Sequence, residues 1–356
     1  MDKKGIIQEH SKIKLELYRL YLERYLSILF GTPFFGTITV NDIFAGSGKS
    51  KNDEKGSAII AAETIDGIIK RSNPQNKRVF LNLNEVEPDN CTALEAHLKA
   101  YEFVRVSNGS ADDFIQKWRV PADSHNLHFI DPHGYTQISI DNLHKLFRSE
   151  RCEFVIFIAI FHIYRFLKNK NDAEPLEPIA TFLNDFGIGE NEAKSVEGVE
   201  EFAELIKVAL GKMASTDLVY AQIIENQTRT SKYGLFFITK DFLVAEKFIE
   251  AQAQLKQHIR DEQQQPMFLF VEEYGKPTLK SVTQPNVRYD NVELYKIGIK
   301  AGISPKAMKA ELDELEGGSS IKVTALTGQP RKRGWFYINH DKFKKQERLV
   351  SVVFGG

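Results

Sequence analysis

Three short runs carry the residue types from which group-transfer chemistry is built: DIFAGSGKS (Asp42–Ser50), LNLNEVE (Leu81–Glu87) and FIDPHGY (Phe129–Tyr135). The first ends like a phosphate loop. Such a loop wraps phosphates in backbone amides and needs a glycine five positions before the one preceding its lysine. That position is Ile43, whose branched side chain obstructs the approach, so a triphosphatase centred on Lys49 is a poor reading. Gly46 and Gly48 suit another purpose, because they let the turn after an apolar strand pass close to a bound nucleoside. In the second run a strand ends in acids, where one carboxylate can accept both ribose hydroxyls. Glu85 is the candidate and Glu87 the spare. Hydrogen bonds to such a charged acceptor contribute about 1.5–3 kcal/mol each. A further strand ends in SNGSADDFI, where Asp112 can reach an adenine amino group.

The third run supplies the reacting end. Asp131 and the carbonyl of Pro132 can accept two hydrogen bonds from an exocyclic amine, which localises its lone pair for attack on a methyl sulfonium, and Tyr135 can stack on the base. Positioning and desolvation carry such a reaction. His162 and Arg165 follow a fifth apolar run, where a structural role suits them better than a substrate role. His125, His128 and His133 are too irregularly spaced for a metal site.

These residues must be held by strands. The apolar runs ITVNDIF, VFLNLNE, FVRVSN, LHFIDP and FVIFIAI alternate with helix-like segments, the pattern of a mostly parallel sheet covered on both faces. A doubly wound α/β domain is the expectation. An amphipathic helix opens it over Ile13–Leu29, and a helix from Gly56 onward, capped by Ser57, follows the glycine turn. The polar stretch 168–213 reads as an inserted helical lid. LVYAQIIENQ and YGLFFITK read as a hairpin that closes the sheet.

Bulk properties narrow the classes. A chain of 356 residues suggests two units, and 42% hydrophobic residues with 25 Phe supply a real core. The formal net charge of -1 excludes a globally basic coat for nucleic acid but not a local patch. Cys91 and Cys152 sit in no CxxC or Cys/His cluster, which excludes a disulfide framework and leaves them as buried small hydrophobes in a reducing compartment. The start of the chain has no signal-peptide run, and the most apolar stretch, Phe154–Tyr164, is too short to span a bilayer. A cytoplasmic protein with no membrane partner is expected.

DIFAGSGKSKNDEKGSAIIAAETI resembles the opening D-x-FAGxG…GSPxxA motif of the three-Cys-motif partner (TcmP) proteins, and FIDPHGY resembles their F-x-DPxGY segment. The helix SKIKLELYRLYLERYLSIL and the strand YGLFFITK are similar to theirs as well, so the resemblance covers about residues 10 to 250. It implies a class I methyltransferase fold, S-adenosylmethionine as cofactor, and a protein partner carrying a three-cysteine motif. The family's first acid falls on Asp42, its turn on Phe44, Ala45, Gly46 and Gly48, its ribose acid on Glu85, and its catalytic pair on Asp131 and Pro132. The chain is similar also to adenine-N6 methyltransferases with their D-P-P-Y motif, but has His133 in place of the second proline, with Tyr135 one position late.

A separate unit follows. The division read from sequence is a methyltransferase-like domain over 1–250, a Gln-rich helical linker over 251–280, and a winged helix-turn-helix over 281–356. Ser304 and Pro305 form a helix start, and IKVTALTGQPRKRGWFYINH reads as two strands around a basic turn, with Trp335 and Phe336 packing that hairpin onto the helices. From Asn286 to Gly356 there are thirteen Lys/Arg against eight Asp/Glu. Lys306 and Lys309 on the second helix, with Arg331, Lys332 and Arg333 on the wing, are the expected contacts to DNA or RNA. The reading that emerges is methyl transfer to a base amino group. Its rival is a non-catalytic nucleic-acid or protein adaptor of a defence or repair operon on the same fold.

Overall fold

The computed structural model describes residues 9–31, 36–72, 77–121, 123–132, 137, 139–168, 177–226, 232–261, 268–270, 277–328 and 330–355. The chain divides into two compact units, Met1–Lys240 with Gln254–Val271, and Asp241–Ala253 with Glu272–Gly356.

In the first unit the five apolar runs become β1 (Thr37–Asp42), β2 (Arg78–Glu85), β3 (Val104–Asn108), β4 (Ser124–Ile130) and β5 (Cys152–Ile158). They pair in parallel in the order β3-β2-β1-β4-β5. The predicted hairpin, β6 (Val219–Asn226) and β7 (Lys232–Ile238), joins antiparallel, with β7 against β5. It does not close the sheet. A short strand, β8 (Phe268–Phe270), pairs with β6 from within the stretch read as a linker. The result is a Rossmann-like, mostly parallel sheet whose strand order reverses between β1 and β4, the point where doubly wound folds place their ligands.

Register assigns each strand residue to a face. On one face Val40, Leu81, Leu127, Phe129 and Phe237 meet α1 (Glu9–Gly31), α2 (Ser57–Ser72) and α3 (Pro88–Leu98). Helix α1 is buried more deeply than an amphipathic surface helix: Tyr18, Tyr21 and Tyr25, at helical spacing, are fully buried, Tyr18 against Phe129 and Tyr21 against Phe237. Burial of side chains of this size contributes about 1.5–3 kcal/mol each.

The opposite face carries α4 (Ala111–Lys117), α5 (Ile140–Arg148) and α6 (Ile160–Leu167), then α7 (Glu177–Asp185), α8 (Glu190–Ser195) and α9 (Val199–Ala214). The expected lid is not a lid. Its helices bury Ile179, Phe182, Phe202, Ile206 and Leu210 in the same core as Phe154 and Ile156 of β5, because their apolar faces cover the sheet. Toward the other edge this face turns polar: Thr39 and Asn41 of β1 align with Asn82 of β2 and with Asn126 and His128 of β4.

The second unit contains part of α10 (Phe242–Asp261), then α11 (Leu279–Val282), β9 (Arg288–Asp290), α12 (Asn291–Lys300), α13 (Pro305–Gly317), β10 (Ile321–Ala325), α14 (His340–Lys344) and β11 (Val350–Phe354). The helix start read at Ser304 holds: Ser304 caps α13 through the Ala307 amide at 3.2 Å, with Pro305 in the first turn. Gly298 lets α13 approach α12 closely, since a Cβ there would stand 2.1 Å from Met308 Sδ. The three strands form an antiparallel sheet in the order β10-β11-β9. The hairpin partner of β10 is therefore β11, not GWFYIN, which lies outside the sheet while Phe336 is buried and Trp335 stands 51% exposed.

Candidate functional site

The chain turns from β1 into α2 at the strand-order reversal. Asp42 ends β1 fully buried, and its Oδ1 accepts the Phe44 amide at 3.2 Å. Ala45 N–H donates to the Asn84 carbonyl at 2.9 Å, and Gly46 N–H donates to Glu85 Oε2 at 2.9 Å. The other oxygen of Glu85 accepts the Glu87 amide, also at 2.9 Å. Glu85 thus clamps the glycine turn to the end of β2. Gly46 has φ +64°, and no atom lies within 4 Å of where its Cβ would be; Gly48, at φ +80°, is closed off by Leu94 Cδ1 at 2.9 Å. The turn needs glycine twice, at Gly46 for an open approach and at Gly48 for close packing.

The GKS ending belongs to a folded loop. Gly56 N–H donates to the Gly48 carbonyl at 2.7 Å, Ser50 Oγ accepts the Asn52 and Glu54 amides, and Lys49 pairs with Asp53 at 2.6 Å. Lys49 is spent on its own loop. Ser57 is the first residue of α2 and not its cap; its hydroxyl lowers the Asp42 pKa. Burial dominates, however, and pushes the Asp42 carboxyl up to about 7. Asp42 Oδ2 has no hydrogen-bond partner among the described residues, nor does the buried Tyr18 hydroxyl, whose pKa is raised by burial and by Asp42.

At the end of β4, Asp131 is ion-paired through Oδ2 with Lys14 of α1. Lys14 is 5% exposed, and its Nζ lies 4.3 Å from the centroid of the Phe157 ring. A lysine on the same helical stripe as Tyr18, Tyr21 and Tyr25 was the signal for this residue, which the motif reading passed over. Pro132 is half-buried beside Asp131. His133 and Tyr135 lie outside the described residues.

Asp112 does not extend freely toward a nucleoside. Its Oδ1 accepts the Ser139 amide at 3.1 Å and Asn142 Nδ2 at 2.6 Å, binding the start of α4 to the start of α5. The loop between β3 and α4 is instead tied down by Asn84, whose Nδ2 donates to the Ile43 carbonyl at 3.3 Å and the Gly109 carbonyl at 3.0 Å. A cavity of about 360 Å³ opens beside these residues, lined by Thr39, Asn82, Asn84, Arg105, Ser107 and Trp118 among others.

His125 and His128 lie on opposite faces of the sheet. His125 hydrogen-bonds Tyr25 at 3.1 Å and meets Glu153 at 3.2 Å on one face of the sheet, while His128 is buried on the other, its pKa pushed down to about 3 by burial. No group of three His, Cys, Asp or Glu suited to a metal occurs among the described residues. His162 and Arg165 are exposed on α6, and both cysteines are buried. No described helix is long and apolar enough to cross a membrane.

The second unit has its own concavity, of about 500 Å³, between the start of α13 and the segment Gly334–Asn339. Lys306 and Lys309 line it and are exposed, as are Lys332 and Arg333. Arg331 differs from the other expected nucleic-acid contacts: its guanidinium is largely buried and pairs with Glu316 of α13, 5.3 Å from the Phe336 ring. It is a clamp.

No protein-family model matches the chain, and no curated protein matches it. Among solved structures it is similar to protein LPL1258 from Legionella pneumophila, at 13% identity over 68% of this chain and 90% of that one, with a TM-score of 0.41. It is similar also to a precorrin-6y C5,15-methyltransferase from Geobacter metallireducens, at 11% identity over 68% and 93% of the two chains, with a TM-score of 0.32. The METTL16 MTase domain aligns at 13% identity over 61% of this chain and 66% of its own, with a TM-score of 0.30.

Proposed function

We propose that the first unit is an S-adenosylmethionine-dependent methyltransferase acting on the amino group of a nucleic-acid base, with the second unit, a winged helix, delivering the nucleic acid. The observation that carries the cofactor is Gly46: at the strand-order reversal it holds φ +64° with open space before it, pinned by Glu85. The residues fit an adenosine-bearing ligand. Gly46 offers an unobstructed backbone, and Glu85 stands at the end of the neighbouring strand. Bound there, S-adenosylmethionine supplies an electrophilic methyl group on a sulfonium.

The chain's own contribution is orientation. Asp131 and the Pro132 carbonyl accept the amine's hydrogens, and Lys14 holds the Asp131 carboxylate in place from the buried side. The order β9-α12-α13-β10-α14-β11 with the sheet order β10-β11-β9 supports the winged-helix assignment. Titration calorimetry with the cofactor and with its demethylated product tests the reading, followed by transfer of labelled methyl to DNA and RNA. Absence of heat with both ligands overturns it.

A second reading is favoured by one contact. The Lys14–Asp131 pair occupies a carboxylate oxygen that an amine acceptor needs, as expected of an adaptor, joined to a three-cysteine partner protein, that keeps the fold without the chemistry. Asp131→Ala separates the two: methyl transfer is lost if the enzyme reading holds, and cellular function persists if the adaptor reading holds.

A further inference from the structure

We propose that Trp335 is a stacking platform for an unpaired base, so that the second unit reads single-stranded nucleic acid rather than duplex. The inference rests on the nucleic-acid part of the reading above and is independent of methyl transfer. Its first observation is the contrast between neighbours. Phe336 is 2% exposed and anchors the segment, whereas Trp335 is 51% exposed at the rim of the 500 Å³ concavity. The second is the backbone that holds the contrast. Gly334 has φ +77° and Tyr337, a bulky residue, has φ +55°. Such conformations persist only where the surroundings impose them, and they cluster at functional positions.

Helix α13 supplies those surroundings. Arg331 pairs with Glu316 of α13, and the Gly334 amide donates to Glu316 Oε2 at 3.3 Å, so the segment is fastened to the helix next to Trp335. Tyr337 meets Trp335 edge-on at 5.9 Å, and Lys332 Nζ lies 5.3 Å from its ring centroid. Charge selects the occupant. Lys306 and Lys309 are exposed in the same concavity as the ring, with Lys332 over it, while Glu316 is neutralised by Arg331 and Asp313 lies near Gly334. An exposed aromatic face beside cations suits a base with its phosphates, and only an unstacked base has a face to offer.

The test uses the full chain and labelled single strands of DNA and RNA, about ten nucleotides long to span one such site, beside a blunt duplex, with binding read by anisotropy and stacking by 2-aminopurine quenching. Trp335→Ala is expected to weaken single-strand binding about tenfold to hundredfold and abolish the quenching, with duplex binding unchanged. Trp335→Phe retains most of the affinity. Lys306→Gln and Arg333→Gln weaken both ligands and flatten the salt dependence. Equal binding of single strands by wild type and Trp335→Ala, or an equal loss for the duplex, overturns the proposal. Binding intact without cofactor heat sinks the methyltransferase reading and leaves this one; cofactor heat without single-strand binding does the reverse.

Discussion

The two candidate sites treat their charges in opposite ways. In the crevice of the first unit each acid has a protein partner: Asp131 has Lys14, Glu85 has the Gly46 and Glu87 amides, and Asp112 has Ser139 and Asn142. In the groove of the second unit no side-chain hydrogen bond or ion pair reaches Lys306 or Lys309 among the described residues. A crevice whose acids are already hydrogen-bonded is rigid and selects by shape and by exchange of partners. A groove of unpaired cations, by contrast, favours any polyanion by charge alone, and on the proposal above discrimination falls to Trp335.

The sharpest way to break this contrast is Gly46→Val. A branched residue at φ +64° costs about 1–2 kcal/mol in the backbone, and its side chain enters the open space. Cofactor binding by calorimetry is expected to fall at least about a hundredfold, some 2.7 kcal/mol, while nucleic-acid binding stays unchanged. Should cofactor binding survive, the crevice is not the site.

Asp42 supplies the next largest effect. Its folded pKa, about 7, lies above its unfolded value, so the folded state retains the proton in between. Stability therefore falls as pH rises from about 4 to 7, at up to about 1.4 kcal/mol per unit. Asp42→Asn is expected to flatten this part of the profile, measured as the urea midpoint between about pH 4 and 8. A mutant profile parallel to wild type would show that Asp42 ionises normally.

Lys14→Met leaves Asp131 without its cation. Because Asp131 is a quarter exposed, the expected loss is about 2 kcal/mol, below that for a fully buried pair. Lys14→Met combined with Asp131→Asn recovers part of it, and additivity in that cycle would mean the two groups are uncoupled. Smallest is the contrast within the basic run. Arg331→Met lowers stability by about 1–2 kcal/mol without changing the salt slope of binding, whereas Arg333→Gln leaves stability within about 0.5 kcal/mol and reduces that slope by about 0.7–0.9.

Strands were readable because parallel strands buried on both faces write themselves as apolar runs, and all five lie where those runs lie. The glycine turn was readable too, since Gly46 and Gly48 both occupy positive φ. What escaped was long-range. Lys14 reaches Asp131 across 117 positions, and β10 chooses β11 over the adjacent GWFYIN because pairing depends on the folded sheet, not on proximity in the chain. The lid expectation failed for a related reason. Polarity of 168–213 concealed a buried stripe of Ile179, Phe182, Phe202 and Ile206 that only the sheet explains. Arg331 and Arg333 are indistinguishable by type, and only their surroundings make one a clamp and the other a surface cation.

The amide-rich face of β1 and β2 has a kinetic corollary. On that side β5 is sealed by Phe147, Phe154 and the apolar stripe of α9, whereas Asn82 and Asn41 are joined by one 2.8 Å bond and Asn41 Nδ2 is left unmatched. Amide protons of β3, the outer strand there, should therefore exchange with deuterium through partial openings well below the global unfolding free energy, while those of β5 wait for the whole unit to come apart.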